Sequence, residues 1–107
     1  MKIIRSKTFD KWLDSLRDSV GKARILQRLD TIHKTGHFGD TRYIADGVSE
    51  LRFKSGAGYR IYYMAHGNVA VILLCAGDKS SQKKDIESAI RIAAKFSTEN
   101  EGGQRND

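Results

Sequence analysis

Proline is absent from this chain, and cysteine occurs once. Without proline, no stretch reads as a stiff linker or a proline-rich ligand. The lone Cys75 has no partner for an intramolecular bridge. Set in the apolar run VAVILLCA, it reads as a small buried hydrophobe and fits a reducing compartment. Long hydrophobic runs are lacking too: the longest, Val69 to Ala76, falls far short of the ~20 residues that span a bilayer. The opening stretch MKIIRSKTFDKWL has neither an apolar leader core nor a small-residue cleavage site. The expectation is a cytoplasmic protein with no membrane partner. His33, His37 and His66 stand at no metal-ligand spacing, and no second cysteine assists them. No Ser-His-Asp ordering stands out either. No cofactor is expected.

What is present in excess is positive charge. The chain of 107 residues carries a net +6. Its last eleven residues hold Glu99, Glu101 and Asp107 against Arg105, which leaves +8 on residues 1–96. Such a balance points to a polyanionic or acidic partner, or to plain solubility. The length suits one domain with a real core and no need of staples.

Residues Lys2 to Arg5 read as a short strand, and Ser6 or Thr8 as a helix cap. Phe9, Trp12, Leu13 and Leu16 repeat at helical spacing, so Trp12 belongs to a core face. After a break around Asp18 to Gly21, Ile25, Leu29 and Ile32, with Leu26 beside them, mark a second helix that stops near Gly36. The pair reads as a helical hairpin. Residues Gly36 to Gly47 read as a loop. The period then changes to two over ELRFKSGAGYRIYY, Glu50 to Tyr63. Glu50, Arg52 and Lys54 share one face, and Arg60, Tyr62 and Met64 share one face of the next strand. A hairpin closed over SGAG sets Arg52 opposite Arg60 and Glu50 opposite Tyr62. The run VAVILLCA reads as a central strand covered on both sides. Ser80 or Ser81 then caps a last helix carrying Ile86, Ala89, Ile90 and Ala93. The expected fold class is α+β, in the order β-α-α-β-β-β-α: a small antiparallel sheet with an N-terminal helical hairpin and a C-terminal helix. Residues 1–96 form the expected single domain, and residues 97–107 a polar, disordered tail.

Two arginines facing each other across a hairpin repel, at a cost of about some tenths of a kcal/mol. Folding gains nothing from that pair, whereas a bound phosphate, matched by two guanidinium forks, offsets the repulsion. Glu50 stands close enough to orient either arginine or to act as a base. Lys79 follows the central strand, just before a helix N-terminus that favours anions, and Gln82, Lys83 and Lys84 lie on that helix's first turn as candidate RNA contacts. Tyr62 is placed to stack on a base. The competing reading is a solvated face on which arginine stems cover apolar surface. GAG at Gly56 to Gly58 lacks the strand-to-helix setting of a nucleotide loop, and DKSSQKKD lacks a glycine-rich lead-in, so neither counts as a phosphate loop.

DGVSELRFKSGAGYRIYY, followed by ILLCAGDKSSQKKDIESA, resembles the addiction-module killer group of the RelE/ParE toxin superfamily, in its HigB-like branch. The resemblance runs from WLDSLRD through the last helix. It implies the toxin of a type II toxin-antitoxin system, paired with a small antitoxin, often a helix-turn-helix DNA-binding protein that alone contacts operator DNA. RelE-like members cleave mRNA on the ribosome and inhibit translation. They need no metal, because the RNA 2′-OH attacks its own adjacent phosphate. Carried over by position, the resemblance gives Arg52 and Arg60 the role of stabilising charge on phosphate oxygens. Lys79 takes phosphate contact or proton donation, and Glu50, Lys54 or Tyr62 the base. Some relatives use histidines or a late tyrosine; here no histidine lies on the hairpin faces and no tyrosine follows Tyr63. ParE-like members instead bind DNA gyrase without cleaving RNA, so a non-catalytic toxin is the alternative.

Overall fold

In the computed structural model, which describes the backbone of residues 1–105 and the side chains of residues 1–97, Ser6 joins the first strand to the first helix. Strand β1 covers Lys2–Arg5 and helix α1 Lys7–Ser15. The Ser6 hydroxyl accepts from the Phe9 amide at 3.0 Å and donates to the Leu74 carbonyl at 2.6 Å. One side chain thus caps α1 and pins it to the sheet. Asp18 caps α2, Ser19–Thr35, by accepting from the Gly21 amide at 2.9 Å. Gly36, in the left-handed conformation, closes that helix, as expected of a C-cap.

The sheet has one strand more than the sequence pattern suggested. Thr41–Ala45, inside the stretch expected to be loop, forms β2 and pairs antiparallel with β3, Val48–Arg52. Asp46 and Gly47 make the two-residue turn, both at positive φ, 52° and 82°. That is the chemistry of the tightest hairpins. Strands β4, Arg60–His66, and β5, Ala70–Gly77, complete a five-stranded sheet in the order β1-β5-β4-β3-β2. All its pairings are antiparallel except β1 with β5, which is parallel. Every residue of β5 is buried, as its uninterrupted apolar run demands.

Two apolar clusters sandwich the sheet. Phe9, Leu13, Ile25, Leu29 and Ile32 of the helical hairpin pack on Leu51, Ile61, Tyr63, Val71 and Leu73. Leu26 lies off this stripe, 40% exposed. On the other face Ala89 and Ala93 of α3, with Ile86, Ile90 and Phe96, cover Val48, Tyr62, Ile72, Leu74 and Cys75. Leu74 and Cys75 meet the same helix because β5 carries an irregularity opposite Tyr62 and Tyr63.

A short 3-10 turn, Lys79–Ser81, leads into α3, Gln82–Arg105. Asp78 caps that turn, its carboxylate accepting from the Ser80 amide at 2.8 Å, and Ser81 stands directly before α3. Over 97–105 the backbone continues α3 where composition suggested a tail, and residues 106–107 lie outside the described residues. Among the described residues no helix is long and apolar enough to cross a membrane.

Candidate active site

The face of the sheet under α3 is only partly covered, because α3 begins beside the ends of β3 and β4. Two cross-strand rows run there. One joins Arg42 to Glu50, Glu50 to Tyr62, and Tyr62 to Cys75. The next, nearer the open end, joins Arg52 to Arg60 and Arg60 to Gly77. Both pairings drawn from the alternation of the hairpin, Arg52 with Arg60 and Glu50 with Tyr62, are present.

The inner row is buried. Glu50 has no exposed surface. Its carboxylate accepts from the Gln82 amide at 3.1 Å. It also faces Arg42 at 3.5 Å and the Arg60 Nε at 3.6 Å. The Tyr62 ring is fully buried as well. Burial, and then the negative charge of Glu50, push its hydroxyl pKa well above 10.0. Tyr62 therefore offers no face for a base to stack on, and its phenol is no proton acceptor at ordinary pH. Glu50 is likewise shut off from any substrate. Against both expectations of direct contact with RNA, α3 and Gln82 close over this row. Cys75, at the end of it, is buried under α3, which pushes its thiol up to about 12.

The outer row opens into a cleft of about 400 Å³ lined by Asp40, Arg52, Phe53, Lys54, Gly58, Arg60 and Lys79. Arg52, 37% exposed, forks onto one oxygen of Asp40, with Nε at 3.2 Å and Nη2 at 2.9 Å. This fork is the main reason the Asp40 carboxyl sits below its usual range. Arg60 is 18% exposed. It donates to the Gly58 carbonyl at 3.0 Å and keeps its Nε toward Glu50. Glu50 thus balances the charge of Arg60 at ion-pair distance. Lys54 and Lys79 are exposed on the rim. The Lys79 amide donates to the Ala57 carbonyl at 3.5 Å, tying the 3-10 turn to the β3–β4 loop.

Gly58 makes that approach possible. It holds φ +70°, and an added Cβ would lie 3.3 Å from Cβ of Lys79. Gly77, ending the row, leaves room for Asp85, whose carboxylate accepts from the Ser81 hydroxyl at 2.5 Å. The result is four cations against one carboxylate around one open cleft.

Of the expected site residues, Arg52, Lys54, Arg60 and Lys79 come together. Gln82 holds Glu50 from behind, and Lys83 and Lys84 are exposed on the first turn of α3 without lining the cleft. Asp40 and Arg42 were missed, since both lie in the stretch taken for loop. The D-G turn signal at Asp46 and Gly47 was the clue to them. Among the described residues no three His, Cys, Asp or Glu side chains gather as metal ligands.

Comparison with known proteins agrees with this architecture. A protein of Haemophilus influenzae, described as uncharacterized, is 46% identical over 86 residues, covering 80% of this chain and 86% of its own. In fold, the chain is similar to an E. coli RelE toxin mutant in the free state, with a TM-score of 0.65 and 16% identity. That match covers 85% of this chain and 96% of the other. It is also similar to a chain of the intact E. coli RelBE toxin-antitoxin complex, with a TM-score of 0.60 and 15% identity over 72% of this chain and 94% of that one. The model of the family "Phage derived protein Gp49-like (DUF891)" matches residues 11–97. The chain belongs to that family, which is one of RelE/ParE-like toxins.

Proposed function

We propose that this chain is the toxin of a toxin-antitoxin pair and that it cleaves mRNA on the ribosome as a metal-independent endoribonuclease. The observation that carries this reading is the cleft itself: Arg52, Lys54, Arg60 and Lys79 converge on one open space with a single carboxylate, Asp40, among them. A phosphodiester satisfies that excess of donors and charge better than water does. The RNA 2′-OH supplies the nucleophile, so the protein has only to move two protons and hold charge.

Arg52 and Arg60 meet the non-bridging phosphate oxygens, where charge grows in the transition state. Lys54 takes the 2′-OH proton, and the 2′ oxygen bonds to phosphorus. The bond from phosphorus to the 5′ oxygen breaks, and that oxygen leaves with a proton from the Lys79 ammonium. The products are a 2′,3′-cyclic phosphate and a 5′-hydroxyl end. The burial of Glu50 and Tyr62 favours Lys54 as acceptor over either of them. Glu50 positions Arg60 instead.

The fold it shares with a chain of the E. coli RelBE complex supports an antitoxin as partner. The antitoxin expected is a small helix-turn-helix protein that lays an acidic segment over or beside the cleft and alone touches operator DNA. Lys54→Ala and Lys79→Ala test the reading, because both side chains are exposed and their loss leaves the core intact. When the chain is induced alone, each variant should slow cleavage by about 10²-fold or more. Growth inhibition and new mRNA 5′ ends should disappear while the thermal midpoint stays unchanged. Variants that remain fully toxic overturn the reading. Intact mRNA with impaired gyrase supercoiling assigns the chain to the ParE-like alternative.

A further inference from the structure

A second groove, of about 430 Å³, lies on the helical-hairpin side of the β3–β4 loop. It is lined by Arg24, Gln27, Arg28 and Thr31 of α2, by His37 and Gly39, and by Phe53, Lys54 and Ser55. Phe53 and Lys54 also line the first cleft, so the two spaces meet at the end of β3. No carboxylate lines the second groove, whereas three basic side chains, Arg24, Arg28 and Lys54, do.

The two arginines are held in place before any ligand arrives. Arg28 lies 4.4 Å over the Phe53 ring and donates to the Phe38 and Arg52 carbonyls at 3.3 and 3.2 Å. Two of its five donors are used, and Arg28 still lines the groove. Arg24 is bound to the Ser55 hydroxyl. The Arg24–Ser55 bond brings α2 against the tip of the very loop that carries Lys54. Fixing long cationic side chains in advance removes much of the ordering cost of binding. Arg28 covers the core residue Phe53, but core packing does not call for Arg24 and Gln27, which are exposed on α2.

We propose that this groove is an RNA subsite that holds the sugar-phosphate backbone of nucleotides flanking the phosphodiester in the first cleft. The inference rests on the RNA reading of that cleft and extends it. A strand bent round Lys54 places one phosphate at Arg52 and Arg60 and its neighbours along Arg24, Gln27 and Arg28. Phosphate contacts fix register without reading sequence. The subsite therefore sets how much RNA the protein needs rather than which bases it prefers.

The test uses RNA methylated at its 2′ oxygens, which cannot be cut, as a trinucleotide and as a longer single strand. Binding of the full chain is titrated against salt. Arg24→Gln removes one phosphate contact, and Gln27→Glu places a carboxylate in the groove with little change of shape. Asn68→Asp, in the β4–β5 turn at the opposite end of the sheet, makes the same charge change as Gln27→Glu and serves as control. For the longer strand, Arg24→Gln should flatten the slope of log affinity against log salt by about 0.7. Gln27→Glu should weaken binding of that strand more than Asn68→Asp does, and the trinucleotide should bind alike to all. Groove variants that match the wild type on the longer strand overturn the inference alone, and so does a loss as large in Asn68→Asp. A wild-type chain that binds neither RNA, free or presented on the ribosome, removes the reading of the first cleft as well.

Discussion

Glu50 has no exposed surface and two cationic neighbours, of which only Arg60 is itself mostly buried. Removing one partner of a buried pair strands the other, at a cost of about 3 kcal/mol or more. Arg60→Ala should therefore lower unfolding stability measured in urea by about that amount, besides emptying one side of the cleft. Arg52→Ala should cost clearly less, because Arg52 and its partner Asp40 both reach water. Equal losses in the two variants would show that Glu50 does not depend on Arg60. Inactivity of Arg60→Ala thus mixes chemistry with folding, and the rim lysines give the cleaner functional readout. The identity of Glu50 as a neighbour of Arg60 was readable from strand alternation. Its burial was not, because that depends on where α3 starts and on the reach of Gln82 from 32 residues away in sequence.

Elements were legible where one face meets a core. The period of 3.6 at Phe9, Trp12, Leu13 and Leu16 located α1, and the period of two located β3 and β4 with their register. Strand β2 was hidden because its sequence, TRYIA, is mostly exposed and little about it alternates. Edge strands owe their structure to the neighbour they pair with, so their own residues say less. Helix α2 shows how an element's end registers acid. The Gly21 amide, and next the Tyr59 hydroxyl, hold the Asp18 carboxyl below 3.8. Its folded pKa lies under the unfolded one, so its contribution is complete at neutral pH and is lost as pH falls below 3.8 through the folded value. Asp18→Asn keeps an oxygen for the cap but has no proton to take up. The variant should lose less stability between pH 5 and pH 3 than the wild type in thermal melts. An unchanged slope would mean that Asp18 has no part in acid unfolding.

Across the whole molecule, six of the basic side chains of residues 1–96 line two adjoining spaces. Four cations ring one cleft, and three line the groove that shares Lys54 with it. Net charge alone gives no such placement, since it needs the sheet to bring residues 52, 60 and 79 together. Strand β1 pairs in parallel with β5, Lys2 opposite Ala70. The first strand made must therefore wait for the last, a long loop to close. Glu50 likewise waits for Gln82. During synthesis, the polypeptide leaving the exit tunnel cannot assemble the cleft of the proposed function until residues up to Gln82 have emerged. Stalled nascent chains that end at Asp78 should accordingly be digested rapidly by protease and leave bound message whole, while chains long enough to expose α3 resist digestion. Because the sheet closes late, any harm the proposed function would do to the machine that makes this protein waits on folding.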